Sequence, residues 1–290
     1  MGVSIIIVNY NTKDLLVSCI ESIRKYCLRT PYEIIVVDNA STDDSVNELL
    51  KVDPNVVLIS NLENKGFGTA NNQGVRIAMY DYIFLLNSDT ILESDVIANL
   101  ELFMNDHIDC AGVTPRILFP DRTEQNTYGN FPTSTFFTLN SLGIIELLSN
   151  NIKRKFSIGL PVDFDRTRKV PHILGVAMFL RKSIFDLVGG FDENFFLYFE
   201  ETDLCYRISQ LGYSFFVIPN LYILHFLSKS SPTNVFKTKH LLRSRLYYFK
   251  KHRLRGFWII KTLSFMKLIM LSIIKRDFNY LHLLVKIQKI

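Results

Sequence analysis

Apolar positions in the first hundred residues fall into short runs separated by amphipathic stretches. Residues 3–8 form a run rich in β-branched side chains, as expected of a strand buried on both faces. Residues 33–37, 56–59 and 82–86 repeat that pattern. The intervening segments have helical spacing. Leu15, Leu16, Cys19, Ile20 and Ile23 form one stripe behind Thr12, a candidate N-cap for a helix to about residue 27. Ser41-Thr42-Asp43-Asp44 reads as an acidic helix start running to about Lys51. Gly66 and Gly68 open a helix to about Met79, and another covers residues 94–105. The order β-α-β-α-β-α-β predicts an α/β fold whose mainly parallel, Rossmann-like sheet carries helices on both faces.

The pattern then loosens. Residues 115–170 carry scattered prolines and the basic cluster Lys153-Arg154-Lys155, and read as a loop-rich flap over a site. A strand is expected over 172–180, a helix over 199–211 with Leu204, Ile208 and Leu211 on one face, and strands over 213–218 and 222–225.

Composition adds exclusions. With 48% hydrophobic and 21% charged residues in 290, the chain is neither disordered nor fibrous. Cys19, Cys27, Cys110 and Cys205 form no C-x-x-C pair, which argues against a zinc ribbon or thioredoxin-type site and suits a reducing compartment. The start, MGVSIIIVNYN, lacks the pattern of a signal peptide.

Charge divides the chain. Residues 237–290 hold 14 Lys and Arg against one acid, Asp277, whereas residues 1–236 hold 19 against 27. The basic tail is also rich in large apolar residues, interrupted by Lys261, Lys267 and Lys275. Its lysine-free stretches fall short of the roughly 20 apolar residues a spanning helix needs. An amphipathic helix lying in the plane of an anionic membrane fits better than a solvated hairpin packed on the body. No nucleic-acid-binding motif accompanies the charge. We therefore expect two parts: 1–235 as the catalytic domain and 236–290 as a helical C-terminal extension.

Ligands of parallel α/β sheets bind beyond the carboxyl ends of the strands. Polar clusters fall at those ends: Asn9-Tyr10-Asn11, Asp38-Asn39, residues 61–68 and Asn87-Ser88-Asp89. Asp38 could accept from a pyrimidine N–H, or simply cap a turn before Ser41. Lys65-Gly66-Phe67-Gly68-Thr69-Ala70-Asn71 offers backbone N–H groups at a helix start. It is neither a dinucleotide fingerprint nor a Walker A loop. Asp89 could hold a divalent cation bridging a diphosphate. Glu200-Glu201-Thr202-Asp203 follows an aromatic stretch, where adjacent carboxylates raise one another's pKa and suit a general base; an acidic first helical turn explains it equally. His225 ends a strand and is a ligand or a structural histidine.

Together these segments resemble family 2 glycosyltransferases. The resemblance runs through residues 3–11, 36–43, 64–68 and 86–89, then Gly175, Arg181, Gly189-Gly190-Phe191-Asp192-Glu193, residues 200–207, Gly212-Tyr213, Pro219 and His225. Within the family the chain is most similar to the rhamnosyltransferase-like branch that builds bacterial surface polysaccharide. The resemblance implies a GT-A fold and inverting transfer from a nucleoside-diphosphate sugar to a glycan or lipid-linked glycan. It also implies a divalent cation, Mg²⁺ or Mn²⁺.

Asp38 matches the base-reading aspartate, and Asn9, Tyr10, Asn11, Asn39, Lys65, Gly66, Asn71 and Asn87 fall on the donor side. Asp89 matches the last position of the D-x-D metal motif, where Asn87 replaces the first aspartate, and His225 matches a histidine that completes the metal or diphosphate site. Glu200-Glu201 matches the Glu-Asp pair whose second member is the base, so Glu201 is the first candidate and Glu200 the second. Asp192 and Asp203 are acceptor-side or orienting. The tail lies outside the resemblance; its basic, apolar character fits a cytoplasmic enzyme, peripheral at the inner face of the membrane. The first donor candidate is thymidine-diphospho-rhamnose; a uridine-diphospho hexose, N-acetylhexosamine or galactofuranose would use the same motifs. A nicotinamide oxidoreductase would need glycines where Asn9-Tyr10-Asn11 stands. A nucleotidyltransferase would release pyrophosphate, and a non-catalytic sugar-nucleotide-binding protein would never turn over.

Overall fold

The structure, a computed structural model, describes residues 2–148, 166–227 and 234–288. The first half alternates as expected: β1 (Val3–Asn9), α1 (Lys13–Tyr26), β2 (Tyr32–Asp38), α2 (Ser45–Val52), β3 (Val57–Ser60), α3 (Phe67–Ile77), β4 (Tyr82–Asn87), β5 (Thr90–Leu92), α4 (Val96–Asp106) and β6 (Cys110–Leu118). Then come β7 (Tyr128–Gly129), α5 (Ser134–Ser141), α6 (Ile144–Leu147), β8 (Arg168–Val170), β9 (His172–Ile173), β10 (Ala177–Arg181), α7 (Lys182–Leu187), α8 (Glu200–Gln210) and β11 (Ser214–His225). Three helices close the chain: α9 (Asn234–Lys251), α10 (Phe257–Lys275) and α11 (Asn279–Gln288).

The main sheet runs β3-β2-β1-β4-β10-β6-β11-β5, with β8 also on β11. β1 to β4 are mutually parallel, β10 is antiparallel to both β4 and β6, and β6 and β11 are parallel. Period-2 alternation builds two cores. Ile5, Ile7, Ile34, Val36, Phe84 and Phe179 pack on one face with the apolar stripes of α1, α2 and α4. Ile6, Ile35, Val37, Leu85 and Met178 pack on the other with α3, α7 and α8. A strand covered on both faces has no polar side, which is why β1, β2 and β4 read as continuous apolar runs.

Three expectations change in detail. The run over 172–180 is not one strand: the chain turns at 174–176, so that β9 pairs with β7 while β10 enters the main sheet. Pro219 does not divide its segment into two strands. β11 is continuous, and the missing N–H is absorbed by a register shift between Ile218 and Tyr222. The region expected as loop contains the helices α5 and α6, while Lys153-Arg154-Lys155 lies outside the described residues.

A third core joins tail to body. Leu242, Leu246, Tyr248 and Phe249 of α9, with Ile260 and Leu268 of α10, bury against Phe137, Phe195 and Phe199. The other side of α10 stays exposed: Trp258, Ile259, Met266, Ile269, Met270, Ile273 and Ile274.

Candidate functional site

Parallel register brings the strand-end polar residues together. Asn9 pairs with Asp38 across β1–β2, Asp38 with Ser60 across β2–β3, and Val8 with Asn87 across β1–β4. A hydrogen-bonded chain then ties the strand ends laterally. The Asn9 amide donates to Asp38 Oδ1 at 2.7 Å and to the Ser41 hydroxyl at 2.9 Å. Asn9 Oδ1 accepts from the Thr12 hydroxyl at 2.6 Å, and Thr12 meets the Ser88 hydroxyl at 2.8 Å. Thr12 precedes α1 as expected, yet its side chain makes no cap bond; it bridges two strand ends instead. Asp38 is 3% exposed, and its Oδ2 accepts from the Ser41 N–H. Each of its oxygens keeps a second lone pair for a ligand.

In front of this edge lies a cavity of about 470 Å³. Of the residues singled out from the sequence, Tyr10, Asn39, Gly66, Asn87, Asp89 and His225 line it. Asn9 and Asp38 stand in the network behind it. Asn11, at φ 54°, shapes the turn after β1 by accepting from the Thr42 N–H at 2.7 Å. Lys65 is exposed beside the mouth, whereas Asn71 is buried and donates back to the Phe67 carbonyl of its own helix at 3.0 Å. Gly66 is required twice over: its φ is +85°, and a Cβ would meet the Phe196 carbonyl oxygen at 2.4 Å. That close approach joins the α3 start to residues 196–198, which form the opposite wall.

Asp89 and His225 converge although 136 positions apart. β11 pairs with β5 so that His225 faces Thr90, and Phe226 N–H donates to the Asp89 carbonyl at 2.9 Å. His225 Nε2 lies 3.2 Å from Asp89 Oδ1 and 3.5 Å from Asn87 Nδ2. Among the described residues no group of three or more His, Cys, Asp and Glu could hold a metal alone. The available donor set is therefore one carboxylate and one imidazole, with room in the cavity for substrate oxygens. Mg²⁺ and Mn²⁺ accept such sites, because they keep waters and take substrate phosphates as ligands.

The glutamates follow an unusual backbone. Tyr198 and Phe199 both adopt positive φ, 69° and 70°, directly before α8. Consecutive left-handed non-glycine residues cost about 1–3 kcal/mol each, so packing must hold them. Glu200 is buried and its Oε2 has no partner, and Glu201 is half-buried, its Cβ near Gly175. Burial, then the adjacent Glu201 carboxylate, drives the Glu200 pKa well above the ordinary range. Glu201 is also raised, by burial, against opposing backbone hydrogen bonds. Both carboxyls are thus held above the ordinary range, Glu200 the more strongly.

Asp192 and Asp203 are engaged by α9. Asp203 is fully buried and accepts from Arg207, Lys251 and His252, each at 2.7 Å. Asp192 accepts from Lys251 at 2.7 Å and Tyr247 at 3.0 Å; against desolvation, Lys251 and the N–H groups of Asn194 lower its pKa to about 2.

Neither Glu200 nor Glu201 lines the cavity; residues 196–198, just before them, do. The whole arrangement, a sheet edge carrying a polar network and an Asp–His pair around one cavity walled by the segment that leads to the glutamates, coincides with a family pattern. The model for "Glycosyl transferase family 2" matches residues 4–188, more than half of the chain. The chain belongs to glycosyl transferase family 2. Its curated family 2 relatives include the low-salt glycan biosynthesis hexosyltransferase Agl10 of Haloferax volcanii, 27% identical over 70% of this chain and 60% of that protein. The N-acetylglucosaminyl-diphospho-decaprenol L-rhamnosyltransferase of Mycobacterium tuberculosis is 25% identical over 79% of this chain and 77% of its own length. The chain thus spans less than two thirds of the first of these. Among solved structures, GalNAc-T7 with UDP, GalNAc and Mn²⁺ superposes with a TM-score of 0.59 at 16% identity, covering 86% of this chain and 50% of that one. The mannosyltransferase PcManGT from Pyrobaculum calidifontis, with GDP-Man and Mn²⁺, gives 0.55 at 15%, covering 93% and 74%. The fold is GT-A.

Two contributors had no signal in the sequence. Phe236, from α9, lines the cavity although it belongs to the tail. Gln125, from the turn after β6, grips His225 from behind.

Proposed function

We propose that this chain is an inverting glycosyltransferase moving a sugar from a nucleoside-diphosphate donor to a hydroxyl of a glycan or lipid-linked glycan. The observation that carries the reading is the single cavity shared by Asn39, Asp89, His225 and the wall preceding Glu201. In this reading Tyr10, Asn39 and Asp38, braced by Asn9 and Asn11, receive the nucleoside, while Gly66, with Lys65 at the mouth, and Asn87 flank the diphosphate. Asn71 acts from inside α3 by holding the helix that presents Gly66. Asp89 and His225 would hold Mg²⁺ or Mn²⁺. A bound cation would supply Lewis-acid stabilisation of the departing diphosphate. Glu201 takes the proton of the acceptor hydroxyl as that oxygen bonds to the anomeric carbon, and the carbon–oxygen bond to the diphosphate breaks on the opposite face. Glu200, buried beside it with a raised pKa, is the second candidate for the base. Asp192 and Asp203 orient the turn through α9.

The activities of the two relatives, a hexosyltransferase and an L-rhamnosyltransferase, favour a rhamnosyl or hexosyl donor. We take thymidine-diphospho-rhamnose as first candidate and uridine-diphospho sugars as second. Nucleoside-diphosphate release across a donor panel, with Mn²⁺ or chelator and membrane lipid extract as acceptor, tests this. Chelator-sensitive release from one donor is expected. Release of pyrophosphate from a nucleoside triphosphate instead would overturn it.

We also propose that the protein sits at the inner face of the cytoplasmic membrane through residues 236–290, working as one unit with the body. α10 is 19 residues long and holds an 18-residue window of mean hydropathy 1.8, sufficient by length and composition to cross a membrane. Its packed side, Ile260 and Leu268, already belongs to the third core, which favours a helix lying in the plane. Each Lys or Arg near an anionic surface adds roughly 1 kcal/mol. Flotation with anionic liposomes at low salt, lost with neutral ones, is the expected result.

A further inference from the structure

Gln125 sits on a short turn that folds back on the end of β6. Phe119 N–H donates to the Thr123 carbonyl at 2.8 Å, and Leu118 bridges Glu124. Gln125 N–H donates to the Ile117 carbonyl at 2.9 Å, and Arg116 pairs with Glu124. The turn thus delivers a buried amide to the back of His225.

The amide orientation follows from its partners. Gln125 Nε2 donates to the His225 carbonyl at 2.7 Å and approaches the Leu118 carbonyl at 3.4 Å. Reversing it would set oxygen against both carbonyl oxygens. Oε1 must therefore face the imidazole, where it lies 2.8 Å from Nδ1. A carbonyl oxygen only accepts, so Nδ1 has to carry the hydrogen. In the neutral ring Nε2 is then a bare lone pair, aimed into the cavity toward Asp89 Oδ1 at 3.2 Å and within reach of the Asn87 amide at 3.5 Å. Two acceptors face each other there across 3.2 Å, an arrangement that a cation between them relieves.

We propose that Gln125 is a positioning residue that holds His225 as its Nδ1–H tautomer, leaving Nε2 free to ligate a divalent cation beside Asp89. The outward-facing lone pair follows from Gln125 alone; its use for a cation rests on the function proposed above. Partners of this kind that fix a ligand's tautomer are worth roughly 10–100-fold in metal affinity.

The test begins with metal-free, ¹⁵N-labelled full-length protein at a pH where the ring is neutral. Long-range ¹H–¹⁵N correlation should show His225 with a protonated Nδ1 and a pyridine-like Nε2. Gln125→Met removes the acceptor, should admit the Nε2–H form, and should weaken Mn²⁺ binding, read from the free-ion electron paramagnetic resonance signal, by about 10–100-fold. Gln125→Glu keeps an oxygen that accepts from Nδ1 and should restore the Nδ1–H tautomer and the affinity. An Nε2–H ring in the wild type overturns the proposal. So does an Nδ1–H ring that persists in Gln125→Met, even if Mn²⁺ affinity falls, because the loss then comes from packing. Mn²⁺ affinity unmoved by His225→Ala would defeat the metal reading, and the spectrum alone would still decide the tautomer.

Discussion

The strand-end edge and the segment leading into the glutamate turn border one cavity but are held in opposite ways. At the edge, Asp38, Asn9, Thr12 and Ser88 satisfy one another, and sheet register places them as neighbours. The turn has no such closure. Two left-handed residues precede it, Glu200 Oε2 is buried without a partner, and its supports come from a distant helix. Ser244 donates to the Leu197 carbonyl at 2.9 Å, and Lys251 and His252 reach Asp203. One side is preorganised by local geometry, and the other is kept under strain by tertiary contacts. Strain and a buried carboxyl oxygen without a partner suit a region that must exchange a proton; mutual satisfaction suits a surface that must only bind.

The largest effect should therefore come from the turn. Glu201→Gln keeps shape and removes the base, so turnover should fall roughly 10²–10⁴-fold while donor binding by calorimetry is unchanged. Because burial raises the Glu201 pKa, the acid limb of the wild-type rate should lie above the ordinary glutamate value near 4.3. Activity should rise with pH through that limb as the base loses its proton. Near-normal turnover in Glu201→Gln, or a limb that survives it, would transfer the role to Glu200.

Next in size is the support of the turn by α9. Asp203→Ala leaves Lys251, His252 and Arg207 without their buried carboxylate, a loss of about 3–5 kcal/mol read by urea unfolding. The pH dependence has a definite sign. Partners in the fold lower the Asp203 pKa against opposing desolvation, as they do for Asp192, which reaches about 2. The latch therefore contributes fully above about pH 4, the unfolded value, and is lost as pH falls toward 2. Hydrogen exchange across α9 should accelerate in that window before β1 and β4 do. Simultaneous loosening of sheet and α9 would erase the distinction drawn here.

The same contrast explains what could be read from the chain. β1, β2 and β4 announce themselves because a strand covered on both faces is apolar throughout, and their polar ends then mark the edge. Asp38 and Asp89 stand at such ends. Gln125 and Phe236 have no local signature: Phe236 lines the cavity from a distant helix, and Gln125 acts on it only through His225, 100 positions away. The separation of a catalytic part from a tail extension came from a charge count, which is blind to Phe195 and Phe199 packing against Leu242 and Phe249. Asp192 and Asp203 were legible as acidic positions, but their partners Tyr247, Lys251 and His252 were not.

Phe236 offers a smaller, sharper probe of that junction. Its ring meets Phe196 at 6.0 Å and His240 at 4.4 Å while lining the cavity. Phe236→Ala should remove ~1–2 kcal/mol of apolar contact, about a tenfold rise in donor Kd, with kcat little changed. An effect on kcat alone would mean that α9 serves the glutamate turn and leaves donor binding to the body.

The smallest effect separates position in a motif from position in the cavity. Asn71 belongs to the glycine-containing stretch yet is 1% exposed, its amide spent on the Phe67 carbonyl one helical turn back. Asn71→Ala loses one neutral side-chain hydrogen bond, roughly 1 kcal/mol, partly offset by the better helix propensity of alanine. Stability should drop by about that amount or less, and donor Kd should stay within about twofold. Asn39→Ala is the matched control, since Asn39 lines the cavity and ties Asn61 to the Gly66 carbonyl. Its donor Kd should rise well beyond that of Asn71→Ala. Equal losses in the two variants would mean that α3 itself moves when donor binds, and that the edge is less rigid than its closed hydrogen-bond network implies.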